Sequence, residues 1–131
     1  MKRPLAERAD LVQLVEEFYS GLLEDDLIGF IFTDIAQLDL KTHLPKIVDF
    51  WDSLLFGTQR YKGQVMQVHI DLNAKAELKP EFFERWLQRF TDKVDELFEG
   101  EKADEILKRV KQMGVLMEFK VKRSTEEGFI Q

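Results

Sequence analysis

Two histidines offer the clearest chemistry in this 131-residue chain, because His43 and His69 are its only imidazoles. Two imidazoles cannot complete a closed zinc site, which takes four ligands, and the chain has no cysteine to add. A haem iron, in contrast, takes a single axial imidazole and leaves its opposite face open to a small molecule. Each histidine taken alone is better explained as a surface or hydrogen-bonded residue, so a haem role requires a matching pocket.

Candidates for the walls of such a pocket are spread along the chain. Small-molecule pockets are mostly apolar with a few polar groups, and the sequence supplies Phe18, Phe32, Ile47, Trp51, Phe83, Trp86 and Phe90. For any one of these residues, packing in the core is the simpler explanation. On a helix, however, His43, Ile47 and Trp51 are spaced four residues apart and therefore lie on one face.

Tyr19 is the unexpected residue, because its phenol lies within the helical pattern of "FYSGLLED" beside Phe18. A hydroxyl turned toward the core is costly unless it has a hydrogen-bond partner. That partner is either a backbone carbonyl or a ligand held in the pocket. The indole N–H of Trp86 is a second donor of the same kind.

Composition limits the classes of function. The net charge is −6, so the chain has no general attraction to nucleic acid or anionic lipid. The absence of cysteine excludes disulfides and thiolate chemistry and fits a reducing compartment. The start, "MKRPLAERAD", is too charged for a signal peptide, and no apolar run reaches membrane-spanning length. We therefore expect a cytoplasmic protein that binds neither nucleic acid nor membrane.

Apolar spacing is helical nearly everywhere and predicts an all-α domain over residues 1–122, followed by a loose polar tail at 123–131. The first helix has an apolar stripe from Leu11 to Leu22. A second helix is predicted from Thr42, as its cap, to Leu55, so that Pro45 falls in the first turn. Long helices follow at 80–98 and 102–121, and a short segment between two loops holds His69. No strand is predicted.

The order of several motifs along the chain resembles one family. The motifs are "FY", "IF", "HLPKIVDFW", "G…Y.G", "H.DL", "FFERWLQRF" and a trailing "FEG..A". In this order they resemble the group III truncated haemoglobins, bacterial globins with a two-over-two helical sandwich around one haem b. The resemblance covers roughly residues 8 to 118, and its specificity comes from the order and spacing of the motifs together.

The resemblance implies roles for individual residues. His69 matches the proximal ligand of the iron, His43 matches the distal histidine, and Tyr19 and Trp86 match donors near the bound gas. Phe18 lies beside Tyr19, Phe32 matches the ring that packs on the haem edge, and Ile47 and Trp51 match the apolar distal wall. Phe83 and Phe90 remain candidates for the apolar pocket on composition alone. Haem propionates require cations or hydrogen-bond donors, for which the candidates are Lys46, Arg60, Tyr61 and Lys62. Each of these four is equally well explained as a solvated side chain.

The function that the resemblance implies is reversible binding of oxygen, nitric oxide and carbon monoxide, with polar donors that retain the ligand. An alternative is haem-dependent redox chemistry, either nitric oxide dioxygenation or a peroxidase-like reaction, which requires an external reductase. A third is a cofactor-free helical interaction module whose aromatic residues are only core. The sequence leaves open whether the protein is an enzyme and which oligomer it forms.

Overall fold

The computed structural model describes residues 2–35, 39–59, 61, 63, 69–73 and 77–128. The first helix, α1, spans Arg8–Leu22, as its apolar stripe predicts. Its start is held by Asp10, whose carboxylate accepts hydrogen bonds from the backbone N–H groups of Ala6 and Glu7. The Arg3 guanidinium donates to the same carboxylate at 2.8 Å and ties the first residues to the helix. The predicted stripe from Leu11 to Leu22 is buried.

The chain turns back on the end of α1 and forms a π-helical turn at Ile31–Ile35. A side chain at Gly29 would approach the Leu23 carbonyl oxygen to 2.7 Å, so only glycine permits this close return. π-Helical turns are rare and are frequent at functional sites. This one carries Phe32, a predicted pocket residue.

Helix α2 spans Leu40–Phe56 and ends at Gly57, whose φ of 68° is the left-handed conformation that favours glycine. The predicted cap at Thr42 is wrong. Asp39 is the cap, because its carboxylate accepts from the Lys41 N–H and from the Thr42 hydroxyl, each at 3.1 Å. Pro45 therefore lies inside the helix rather than in its first turn. It cannot donate to the carbonyl one turn back, which leaves the turn around His43 without one helical hydrogen bond.

A helical segment at 69–73 begins, in its described part, with His69. Asn73 accepts a hydrogen bond from the Leu78 N–H at 2.8 Å, which joins this segment to the approach of the next helix.

Helix α3 spans Pro80–Leu97 with proline in its first turn, as predicted. Two short strands, Arg3–Pro4 (β1) and Phe98–Glu99 (β2), pair in parallel. The sequence analysis predicts no strand, because a two-residue strand is too short to show an alternating pattern. Helix α4 spans Glu101–Gly128 and so extends past the predicted end at Val121. The division into a domain and a polar tail stays a prediction.

The helices pack as two pairs. Helix α1 packs against α2 and α3, and α3 packs against α4, with a continuous core between them. Arg8 links α1 to α2 through ion pairs with Asp49 at 2.7 Å and the buried Asp52 at 2.8 Å. Within the described residues, no helix is both long and apolar enough to span a bilayer.

Candidate functional site

Tyr19 lies where the inward face of α1 meets the π-helical turn and α2. Its side chain is only 6% exposed, and its ring meets those of Phe32 and His43 edge to face, with centroids 5.9 and 5.8 Å away. The hydroxyl makes no hydrogen bond with a described residue, yet it is not sealed in the core and retains access to space beside it. Burial raises the pKa of Tyr19 above its usual value, so the phenol stays protonated and remains a donor.

The two histidines come from separate segments and lie close enough for their charges to interact. His43 is half-buried on the first turns of α2, and His69 is half-buried at 69–73. Burial lowers the pKa of His43, and the positive charges of Lys46 and His69 lower it further. His43 is therefore a neutral imidazole near neutral pH, able to donate or accept. Its ring nitrogens make no hydrogen bond with a described residue.

An aromatic cluster forms the wall behind Tyr19. Phe18 contacts Tyr19, Trp86 and Phe90 edge to face, with centroids 5.2–5.3 Å away. Phe90 is stacked between two indoles, Trp86 at 5.2 Å and Trp51 at 5.4 Å. Side chains from α1, α2 and α3 are therefore in direct contact. The indole N–H of Trp86 has no hydrogen-bond partner among the described residues.

The remaining predicted wall residues lie at the edge of the core. Ile47 and Phe83 are half-buried and pack against the buried core cluster, as does Phe32. His43, Ile47 and Trp51 belong to one uninterrupted helix, α2, as their spacing indicates. Neither Ile47 nor Phe83 belongs to the stacked part of the wall.

Two of the four propionate candidates, Arg60 and Lys62, lie outside the described residues. Lys46 is exposed one turn after His43. Tyr61 is half-buried, with its ring 5.2 Å from that of Phe50 and its backbone N–H donating to the Ser53 hydroxyl. Its own hydroxyl lies over Gly63, where any side chain would collide with it. The propionate role of all four residues stays a prediction.

Asp25 holds the site in place and was missed by the sequence analysis. Its fully buried carboxylate accepts from the backbone N–H groups of Leu27 and Ile28 at 2.8 and 2.9 Å. It also accepts from Arg85 at 3.2 Å and from Arg89, both on α3. Asp25 therefore joins the turn before Phe32 to the helix turn that carries Trp86. Its sequence signal was an acid two residues before an apolar pair, which is typical of a capping carboxylate.

Other places in the described structure are less suited to a cofactor. No group of three or more histidine, aspartate or glutamate side chains is arranged to hold a metal ion within the described ranges. A groove of about 390 Å³ between α1 and α3 is lined mostly by charged side chains, including Glu17, Arg89 and Lys93. Burying charged side chains under an apolar macrocycle would be costly, so this groove is unfavourable for haem.

Two pairs of packed helices around one core, with Tyr19 and His43 beside an aromatic wall, fit the class of fold that the motif order predicts, the small globins. A relative from Campylobacter jejuni, group 3 truncated hemoglobin ctb, is 30% identical over 116 residues, which cover 86% of this chain and 89% of the relative. The crystal structure of group III truncated hemoglobin from Campylobacter jejuni matches with a TM-score of 0.78 and 30% identity, covering 89% of this chain and 92% of that one. No family model matches the chain.

At this identity and coverage, the chain belongs to the group III truncated haemoglobins. Its fold is the two-over-two helical sandwich that the motif order predicts. Membership of a haemoglobin family implies that the protein binds haem.

Proposed function

We propose that the protein holds haem b through His69 and binds oxygen and other diatomic ligands reversibly on the opposite side. The observation that carries this proposal is Tyr19, whose side chain is only 6% exposed while its hydroxyl donates to no described residue and opens to the space beside it. A ligand in that space can accept the hydrogen bond, which is strong where the surroundings screen charge poorly.

The donors at the site fit the proposed cofactor. A ferrous haem supplies the metal that binds diatomic gases, and the imidazole of His69 is the type of axial ligand it requires. His43 and Trp86 add ring N–H groups that, like the Tyr19 hydroxyl, donate to no described residue. No polar side-chain atom of the described residues is both fully buried and without a partner, so these three groups open to space rather than being sealed in the core. Three such donors beside one aromatic wall favour a bound ligand over the cofactor-free interaction module.

The chain's own residues determine how long a ligand stays. A donor in a water-poor site strengthens its hydrogen bond to a partly negative oxygen, because the surroundings screen the charge poorly. Tyr19 is held protonated by its burial and is prearranged by ring contacts with Phe18, Phe32 and His43. These contacts favour slow release, which suits scavenging or chemistry on the ligand better than bulk delivery.

His69→Ala tests the cofactor and its axial ligand together. We expect the purified variant to lose the intense haem absorption band, whereas the unmodified protein shows it after addition of haemin, because the iron requires an axial imidazole. The control is His43→Ala, which removes the only other imidazole and should retain the band with altered ligand kinetics. A His69→Ala variant that keeps full haem content would overturn the assignment of His69.

Two enzymatic activities are the alternative to reversible ligand binding. Nitric oxide dioxygenation and peroxidase-like turnover both require an external reductase, and a cytoplasmic location would provide one. Steady-state turnover with a defined reductant supports an enzyme, whereas a single stoichiometric turnover supports an oxygen carrier.

A further inference from the structure

We propose that a continuous row of aromatic rings carries single electrons between the ligand pocket and the surface, where Tyr61 is the residue that exchanges electrons with small reductants. This inference rests on the proposed haem binding. The rings follow one another in the order Tyr19, Phe18, Trp86, Phe90, Trp51, Phe50 and Tyr61. Successive centroids are 5.1–5.4 Å apart at all six steps. We call this set the aromatic row.

The aromatic row contains every readily oxidised aromatic side chain of the protein. Tyrosine and tryptophan lose an electron far more easily than phenylalanine, and the chain has two of each. All four lie in the row, at both its ends and in its interior, and the gaps between them are filled by three of the 11 phenylalanines. Core packing alone requires apolar bulk, which phenylalanine supplies, and gives no reason for this placement.

Burial gives the aromatic row a direction. Tyr19 lies at the pocket beside His43, and Trp51 in the interior is only 4% exposed. Tyr61, at the other end, is half-exposed in the connection after α2. A hydrogen-bonding role at the ligand accounts for Tyr19 and Trp86, but it does not account for Trp51 or Tyr61. Electron transfer accounts for all four residues.

The electron balance specifies what the aromatic row does. A bound haem would supply peroxide reduction, in which one hydrogen peroxide takes up two electrons and two protons and becomes two waters. Each electron leaves an indole of the row, whose N–H proton passes to solvent. Tyr61 then supplies an electron to that indole, which regains its proton from solvent, and the Tyr61 phenol releases its own proton to solvent as it becomes a neutral phenoxyl radical. A one-electron donor outside the protein, such as ascorbate, restores the phenol as solvent returns the proton, and two such passages balance one peroxide.

The test maps radicals rather than activity. The ferric haem-bound protein is treated with a single equivalent of hydrogen peroxide and a nitroso spin trap, and the trapped residues are identified by peptide mass spectrometry. We expect the adduct on Tyr61. In Tyr61→Phe the adduct should move to the indoles, and in Trp51→Phe its yield on Tyr61 should fall several-fold. The haem absorption band, recorded on every sample, shows that the pocket is intact.

The matched control is Phe119→Tyr. Position 119 is 56% exposed, more than Tyr61, and Phe119 has no ring-to-ring contact with a described residue. If the aromatic row delivers the radical, Tyr61 is labelled and the phenol introduced at position 119 is not. Equal labelling of both would show a diffusing oxidant and overturn the proposal. The proposal is also overturned if Tyr61 carries no label in the haem-loaded protein, or if the label on Tyr61 is undiminished in Trp51→Phe. A protein that takes up no haem would instead refute the proposed function.

Discussion

At the scale of single residues, this site is distinguished by hydrogen-bond donors that no described residue of the protein accepts from. Tyr19 is the clearest example, because its ring is fixed by neighbours on three sides while its hydroxyl makes no bond to a described residue. Its type and inward direction could be predicted from sequence, since "FYSGLLED" places it on a helix beside a core phenylalanine. That its hydroxyl has no described partner could not be predicted from sequence, because this depends on every segment packed around the hydroxyl.

Tyr19→Phe removes only that hydroxyl. We expect oxygen dissociation to become roughly 5- to 30-fold faster, which corresponds to the loss of about 1–2 kcal/mol of hydrogen bonding. Stopped-flow displacement of oxygen measures the rate. In the haem-free protein the same change breaks no described hydrogen bond, so the urea midpoint should not fall. An unaltered dissociation rate would show that Tyr19 does not contact the ligand.

At the scale of elements, a few polar contacts position the helices that carry the site. Asp25 is the central one, because it links the turn before Phe32 to two arginines on α3. Burial alone would raise its pKa, but hydrogen bonds from two backbone N–H groups and two guanidiniums lower the pKa of Asp25 to about 2. Sequence periodicity predicts where helices lie and which faces are buried. It could not predict these contacts, because they join residues about 60 positions apart.

Asp25→Asn should lower the free energy of unfolding at pH 7 by about 1–3 kcal/mol, since an amide N–H₂ then faces two guanidiniums. The matched control is Asp26→Asn, because Asp26 is 95% exposed at 3.6 Å from Arg85 and should change stability by less than about 0.5 kcal/mol. Urea titration of both variants makes the comparison.

The stabilisation that Asp25 provides should depend on pH. The folded-state pKa of Asp25, about 2, is below its value of 3.8 in the unfolded chain, so its contribution is present above pH 3.8 and is lost as pH falls toward 2. The stability difference between the unmodified protein and Asp25→Asn should therefore shrink across that interval. A difference that stays constant down to pH 2 would contradict the role of the ionised carboxylate.

At the scale of the whole molecule, two helix pairs share one core, and the aromatic wall lies where α1, α2 and α3 meet. A cofactor bound at that junction contacts several helices at once. A haem that binds the folded state in preference to the unfolded chain shifts the folding equilibrium by mass action.

Extraction of haem should therefore lower the melting temperature. With haemin at about 100 times its dissociation constant, linkage gives about 2.7 kcal/mol, which corresponds to a shift of roughly 10 °C for a domain of this size. Thermal denaturation followed by circular dichroism measures the shift. His69→Ala should abolish the increment, and a haem-independent melting temperature would argue against a cofactor in the core.

The sequence by itself determined the all-α class, the positions of the main helices, and the residue types available for chemistry. Helical periodicity and end signals such as Gly57 and Pro80 act over a few residues and can be read locally. Only the tertiary structure decided that Asp39 rather than Thr42 caps α2, with Pro45 inside the helix. It alone placed the two tyrosines and two tryptophans in one row of rings, because contacts between distant segments depend on how all the helices pack together.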